Sequence, residues 1–392
     1  MSAAATVPAS APADAMVSAP LTGPEVVSGE AGLAALAPAW RELVLQAGAT
    51  PFCSPDWLLP WARAYASAGD AFVLAWRDPD GSLVAVMPLV RDRRRVLPLV
   101  EVAPWANRGT ALRGMVDLVA LPGREPGAGA ALAAWLAGPS VRWDLVSALR
   151  LPAGSPTAGM LARIAAERGL AAASNTGAVR SDTFVLDLPA AGSGERVLGA
   201  KARHNLRTEA RKFERQGGRY ETLTAPADVA PAVRAIRRLV EARWGPGERT
   251  FRGDPAAERF LVDALEAFGG QGGLILDVAR DESGIRAALV TLVSGRRAVA
   301  LLIGVSDSED VRRLALGKQL FAMSIDRCAE RGAETYDFLW VGGYKEAFWG
   351  ATARRMESIV IGRGLVGSLL VRRAAARASA AARKAAPAGG VG

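Results

Sequence analysis

Histidine is nearly missing from this chain: His204 is the one imidazole in 392 residues, beside two cysteines, Cys53 and Cys328. So small a stock of soft ligands makes no zinc-type set, and no metal is expected; two cysteines make no disulfide framework, and buried, reduced thiols are the default. Long uncharged apolar runs are missing too. The best candidate, Ala287 to Val305, is interrupted by Arg296 and Arg297 and falls short of the roughly 18 uncharged residues that span a bilayer, so a soluble, cytoplasmic body is expected. The first 28 residues, rich in Ala, Pro and Ser, have neither a basic n-region nor an unbroken apolar run and read as a disordered leader. Aromatic residues make up only 6% of the chain, so a local concentration of them is informative.

What the chain does have is length and hydrophobic residues, which form half of it; at roughly 100 to 200 residues per domain it suits two domains, each with a core. The formal charge of +9 suggests nucleic acid until it is located. After Glu357 come Arg363, Arg372, Arg373, Arg377, Arg383 and Lys384 with no acidic residue, leaving about +3 for the rest. That tail, Leu365 to Lys384, reads either as a solvated terminal helix or as a surface for an anionic membrane or a partner.

Two distant stretches share one plan. Phe72 to Arg95 is a strand, an Asp-Pro-Asp-Gly turn and a second strand; Leu274 to Val305 is strand, Asp-Glu-Ser-Gly turn, strand, Ser-Gly-Arg turn, strand. Each is followed by a helix, around Gly129 to Leu136 and Gly317 to Arg331, and then by a strand, "RWDLVSAL" or "TYDFLWV", which puts Trp143-Asp144 and Tyr336-Asp337 in matching places. This predicts two copies of a mixed α/β unit. They differ afterwards: "RLPAGSPTAG" follows the first and "GGYKEAFWG" the second, so the second is the better candidate for an active site.

Between the copies, Leu198 to Gln216 reads as a helix ending at Gly217-Gly218. Leu198, Ala202, Leu206, Ala210 and Phe213 form an apolar stripe, with Lys201, His204, Arg207, Arg211 and Arg215 opposite. Arg207, Arg211 and Arg215 are successive i,i+4 like charges, each pair costing an isolated helix roughly 0.2 to 0.5 kcal/mol, so this face is either plain solvated surface or meets an anion. In "VRRLALGKQLF", Gly317 and Lys318 fall near a helix N-terminus, where free N–H groups can hold a phosphate, although the spacing is not that of a Walker loop. "YDFLWVGGYKEAFWG", Tyr336 to Gly350, crowds large rings around two glycines and Lys345; it is either a core strand with a tight turn or the wall of a site with a positioned cation.

Together, "FCSPDWLLPWARAY" (Phe52 to Tyr65), "KARHNLRTEARKFERQGG" and "LGKQL... RGAETYDFLWVGGYKEAFWG" resemble the CelD/BcsL-like acetyltransferases of the GNAT superfamily, double-domain relatives of the Fem-type peptidyltransferases. The resemblance runs from Phe52 to Gly350, most of the chain. It implies an α/β fold of mixed sheets in two tandem GNAT-like domains, the N-terminal one degenerate: a leader over 1–28, an acceptor-side domain over 29–190, an acyltransferase domain over 191–364 and a basic tail over 365–392. It further implies acetyl-CoA or another acyl-CoA as co-substrate, an amine or hydroxyl acceptor, and a role in cellulose or exopolysaccharide production. The pyrophosphate turn of GNAT proteins superposes on Arg312 to Gly317, with Ala315 in the place of the first glycine, so Arg312, Arg313, Ala315, Gly317 and Lys318 become the donor site. Lys345 takes the place of a lysine that stabilises charge at the transferred carbonyl. Tyr344 is either a proton donor to the leaving thiolate or a packed ring. Asp337 either orients Lys345, acts on the acceptor, or closes a strand end. By the same analogy Lys201, Arg203, Asn205 and Arg207 face an anionic acceptor, and Trp57, with Ser54 and Trp61, lines a sugar-stacking wall unless it is the buried face of a helix.

Two other functions remain open at this level. One is a Fem-like ligase using aminoacyl-tRNA, against which stands the lack of a long heptad-patterned insertion. The other is a catalytically silent scaffold of a polysaccharide-synthesis assembly docking through the tail.

Overall fold

The computed structural model describes residues 21, 23–67, 70–94, 99–105, 115–139, 141–152, 154–174, 182–190, 197–245, 254–339 and 344–385, without the side chains of 93, 94, 99, 344 and 380–385. In chain order the first half runs β1 (Glu25–Ser28), α1 (Gly29–Gln46), α2 (Pro55–Tyr65), β2 (Ala71–Arg77), β3 (Leu83–Arg94), β4 (Leu99–Pro104), β5 (Val119–Ala120), α3 (Glu125–Ala137), β6 (Leu145–Leu151), α4 (Pro156–Glu167) and β7 (Ala171–Ser174). The second half runs β8 (Asp182–Asp187), α5 (Ala200–Arg215), β9 (Arg219–Leu223), α6 (Pro226–Trp244), α7 (Pro255–Gly270), β10 (Leu274–Asp281), β11 (Gly284–Ser294), β12 (Arg297–Val305), α8 (Glu309–Arg312), α9 (Leu316–Glu330), β13 (Thr335–Asp337), α10 (Tyr344–Trp349), β14 (Thr352–Arg355), β15 (Glu357–Gly362) and α11 (Gly364–Ala385).

The strands form two mixed sheets. The first has the order β1-β2-β3-β4-β6-β15-β7, with β5 on β3; the second is β14-β8-β13-β12-β11-β10-β9. The repeated plan is visible in the pairing. In each sheet three antiparallel strands, β2-β3-β4 or β10-β11-β12, lead through a helix to a strand that lies parallel to the third, β6 on β4 and β13 on β12. The helix is what makes the parallel return possible, since a tight turn can only reverse direction. The likeness is not exact in register: Trp143 and Asp144 precede β6, whereas Tyr336 and Asp337 lie within β13.

The expected boundaries are corrected by strand exchange. β8 lies inside the stretch expected to be the N-terminal domain, yet it pairs with β13 and β14 in the second sheet. β15 comes from the C-terminal stretch and is inserted between β6 and β7 of the first. Residues 25–28, expected in the leader, form β1 against β2; residues 1–20 and 22 lie outside the described residues. The tail is the 22-residue helix α11, packed on the first sheet through Val371, Val360 and Leu145. Its crossing is close because a Cβ on Gly367 would stand 2.2 Å from the Asp144 carbonyl, so only glycine fits. Among the described residues no helix is long and apolar enough to cross a membrane.

One core joins the two halves. Trp40, Phe52, Trp57, Trp61 and Trp105 pack in the same cluster as Phe260, Leu276 and Val290. Trp57 is fully buried, edge-on to Phe52 at 5.2 Å and to Phe260 at 4.7 Å, and Tyr65 donates its hydroxyl to the Asp254 carboxylate across 3.1 Å. The sugar-stacking role expected of Trp57 is therefore corrected: its ring has no free face, and Ser54 is the buried N-cap of α2, accepting from the Asp56 N–H.

Candidate active site

The second sheet opens where β12 and β13 separate. They pair only from Arg297 to Val299 against Thr335 to Asp337, and β12 then runs on to Val305. The far edge of the departing chain is held instead by β8: Phe338 donates to the Phe184 carbonyl across 2.9 Å, and Phe184 donates to the Leu339 carbonyl across 3.2 Å. Beyond Val299 the edge of β12 facing β13 has no ladder partner among the described residues and lines one wall of a wedge, a surface on which an extended amide-bearing molecule can add as a strand. In the first sheet the residues around β4 and β6 pack closely. Met87, Val102, Val146, Met160 and Leu161 close around a cavity of about 10 Å³, at the lower limit for one water.

At the end of β12 the chain turns through Ser306–Leu314 into α9. Ala315 caps α9 with φ +51°, in the left-handed region, so alanine does adopt the turn at a cost of about 1 kcal/mol. Gly317 serves packing: a Cβ there would stand 3.1 Å from Val305 and 3.5 Å from Ile303, so the helix end lies directly on β12. The Lys318 and Gln319 N–H groups both bond the Ala315 carbonyl, whereas those of Leu316 and Gly317 meet no acceptor among the described residues and are left for a ligand. Arg312 and Arg313 stand exposed on the loop ahead of α9. Arg312 is paired with Asp307 at 2.7 Å and Arg313 with Glu309, so both brace their own loop. Arg286, which the sequence did not single out, ties that loop to β11 by bonding Asp281, Ser308 and Asp310. Lys318 remains a cation at the helix end, its Nζ 4.4 Å from the Phe348 ring centroid.

The aromatic window divides between core and site. Tyr336 is buried, with its hydroxyl among Thr291 and Ser324. Phe338 and Trp349 pack with Phe321 of α9 and with each other, Phe348 lies edge-on to Trp349, and beside these rings α10 delivers Lys345, 1% exposed. Its Nζ lies 3.4 Å from the Phe321 ring centroid and 4.5 Å from that of Phe338. Burial disfavours the ammonium and pushes its pKa down to about 7. Phe321 lies three residues after Lys318, in the quoted "GKQLF", but nothing local marks it as a partner of Lys345. Glu346 is exposed. The backbone of Tyr344 opens α10; its side chain lies outside the described residues.

Asp337 closes the strand end. Its Oδ1 accepts from the Leu339 N–H across 2.7 Å and from the Thr183 hydroxyl, holding Leu339 at φ +56°. Burial pushes its pKa up, against the lowering effect of those two donors and of Arg297 and Arg354. The two cysteines are buried, with thiols raised by desolvation to about 11 for Cys53 and about 12 for Cys328, so neither is a nucleophile near neutrality.

Helix α5 begins at Ala200, two residues after the expected start; Leu198, just ahead of it, and Phe213 are buried and Ala202, Leu206 and Ala210 half-buried, as the stripe requires. Lys201, Asn205 and Arg207 are exposed. Arg203 is corrected: it turns back and donates to the Leu198 carbonyl at the start of its own helix. An open depression of about 620 Å³ is lined by Thr208, Arg211, Glu214 and Arg215, further along α5 than the residues expected to meet the acceptor and without Lys318 or Lys345.

Residues 200–348 match the family model of an acetyltransferase (GNAT) domain. No curated protein matches the chain in sequence. Among solved structures, FemX superposes with a TM-score of 0.58 at 10% identity, covering 86% of this chain and 96% of its own. The C-terminal domain of a protein described as a lysylphosphatidylglycerol synthetase, from Agrobacterium fabrum, does so with a TM-score of 0.50 at 14% identity, covering 87% and 96%. At such identities these likenesses establish the fold. The wedge, the α9 N-terminus and the lysine cage all fall within the span 200–348 that is similar to an acetyltransferase (GNAT) domain, or at its edge.

Proposed function

We propose that this protein transfers an acyl group from an acyl-CoA thioester to an amine or hydroxyl acceptor. The observation that carries the reading is the parting of β12 and β13 after three paired residues, at a point where the uncapped N-terminus of α9 opens beside Lys318. The residues present fit such a donor: the β12 edge groups that have no ladder partner among the described residues suit the amides of its arm, and the Leu316 and Gly317 N–H groups with the Lys318 side chain suit its pyrophosphate. The three acidic residues Asp307, Glu309 and Asp310 are neutralised by Arg312, Arg313 and Arg286, which lets an anion approach the loop.

A bound thioester supplies an activated acyl carbon. The acceptor's lone pair forms the new C–N or C–O bond, the C–S bond breaks, and the acceptor's proton leaves for the departing sulfur or solvent. Lys345 would donate to the carbonyl oxygen as its charge grows, an interaction strongest in a water-poor cage. Its ammonium must first turn off the Phe321 face. Asp337 acts through the backbone by holding Leu339 at the end of β13. A saccharide-linked acceptor, and with it a role in exopolysaccharide production, rests on the resemblance of the sequence motifs alone.

Calorimetric titration with acetyl-CoA and CoA tests this on the wild type, Lys318→Ala and Lys345→Ala. Saturable binding, weakened about tenfold in Lys318→Ala by the loss of a charge-assisted contact and kept in Lys345→Ala, is expected. Failure of the wild type to bind either ligand refutes the acyl-CoA reading and directs the search to aminoacyl-tRNA or a scaffold role.

A further inference from the structure

The outer face of α11 is built unlike the rest of the surface. Leu365 is 92% exposed, Val366 47% and Leu369 52%, three of the few large apolar side chains left open to solvent among the described residues. At about 100° per residue they share one side of the helix with Arg372, Arg373 and Arg377, all exposed. Gly367 and Val371 point the opposite way, into the first sheet. The helix is therefore held firmly by one face, and the other is apolar in its first two turns and cationic afterwards. No acidic residue follows Glu357, while Arg383 and Lys384 extend the charge.

We propose that this face docks the protein on an anionic lipid bilayer, Leu365, Val366 and Leu369 entering the headgroup–acyl boundary and Arg372, Arg373 and Arg377 meeting lipid phosphates. The pairing of an apolar end with a basic row decides among occupants. A nucleic acid backbone would use the arginines but has no place for the leucines. A second copy meeting α11 with α11 would set arginine rows against each other with no carboxylate between them. A bilayer surface uses both, and a helix lying in the interface needs this division of faces. The sheet-held position means that docking orders no new segment.

Flotation of the full-length protein with phosphatidylcholine vesicles, with and without phosphatidylglycerol, tests the proposal. The protein is expected to float with the anionic vesicles only, and to be released by salt. Each arginine replaced in Arg372→Gln/Arg373→Gln should weaken partition about fivefold. Leu365→Ser/Leu369→Ser should weaken it by an order of magnitude or more, with an unchanged melting curve because both side chains are already solvated. The proposal is overturned if the wild type stays with neither vesicle, if neutral vesicles retain it equally, or if either double variant floats like the wild type. It is equally overturned if the leucine variant splits a wild-type dimer, or if RNA is retained in a salt-sensitive way that the leucine variant leaves unaltered.

Discussion

Replacing Lys345 by methionine should remove a pH dependence from the stability of the protein while abolishing acyl transfer. Lys345 is 1% exposed, and its pKa falls from the ordinary 10.5 to about 7 through desolvation. A displacement of that size corresponds to roughly 5 kcal/mol against the charged form. The contacts with Phe321 and Phe338 favour the cation by ~0.5–2 kcal/mol. The sign follows from proton counting. Between pH 7 and 10.5 the unfolded lysine holds a proton that the folded one has lost, so stability rises with pH through this window and the burial cost is complete below it. Methionine fills a similar volume with no charge to desolvate. The assay is urea unfolding of both proteins at about pH 7 and about pH 9, where the wild type should gain about 2 kcal/mol relative to the variant. Wild type and variant moving in parallel with pH would refute the burial argument. Equal acyl transfer by the two would remove Lys345 from the chemistry.

Three further outcomes are expected. If Lys345 acts as a cation, kcat/KM should fall as pH rises through about 7; a rise over the same range would instead make it a proton acceptor. Ala315→Gly should raise the urea midpoint by about 0.5–1 kcal/mol of stability, because φ +51° strains alanine and not glycine, and a lowered midpoint would contradict that strain. Trp57→Ala should cost about 3–5 kcal/mol of stability by emptying the space between Phe52 and Phe260, and unchanged stability with weakened acceptor binding would restore the sugar-wall reading.

The sequence by itself determined the local elements. Turn residues and alternating apolar positions mark the repeated meanders, the three- and four-residue spacing from Leu198 to Phe213 marks α5, and the start of α9 at Leu316 is readable from the pattern that follows it. These features depend on neighbours in the chain. Tertiary structure alone decided what depends on distant ones. β8 and β15 exchange sheets because edge pairing is set by backbone hydrogen bonds that any strand can offer, so composition does not reveal which sheet a strand joins. That Arg312 and Arg313 pair with Asp307 and Glu309 of their own loop is visible only in the folded chain. Asp337 and Thr183 meet across 154 residues of sequence. The rings around Lys345 in the sequence mark it as a candidate cation of a site wall, but its lowered pKa arises only when α9 brings Phe321 against it and water is excluded.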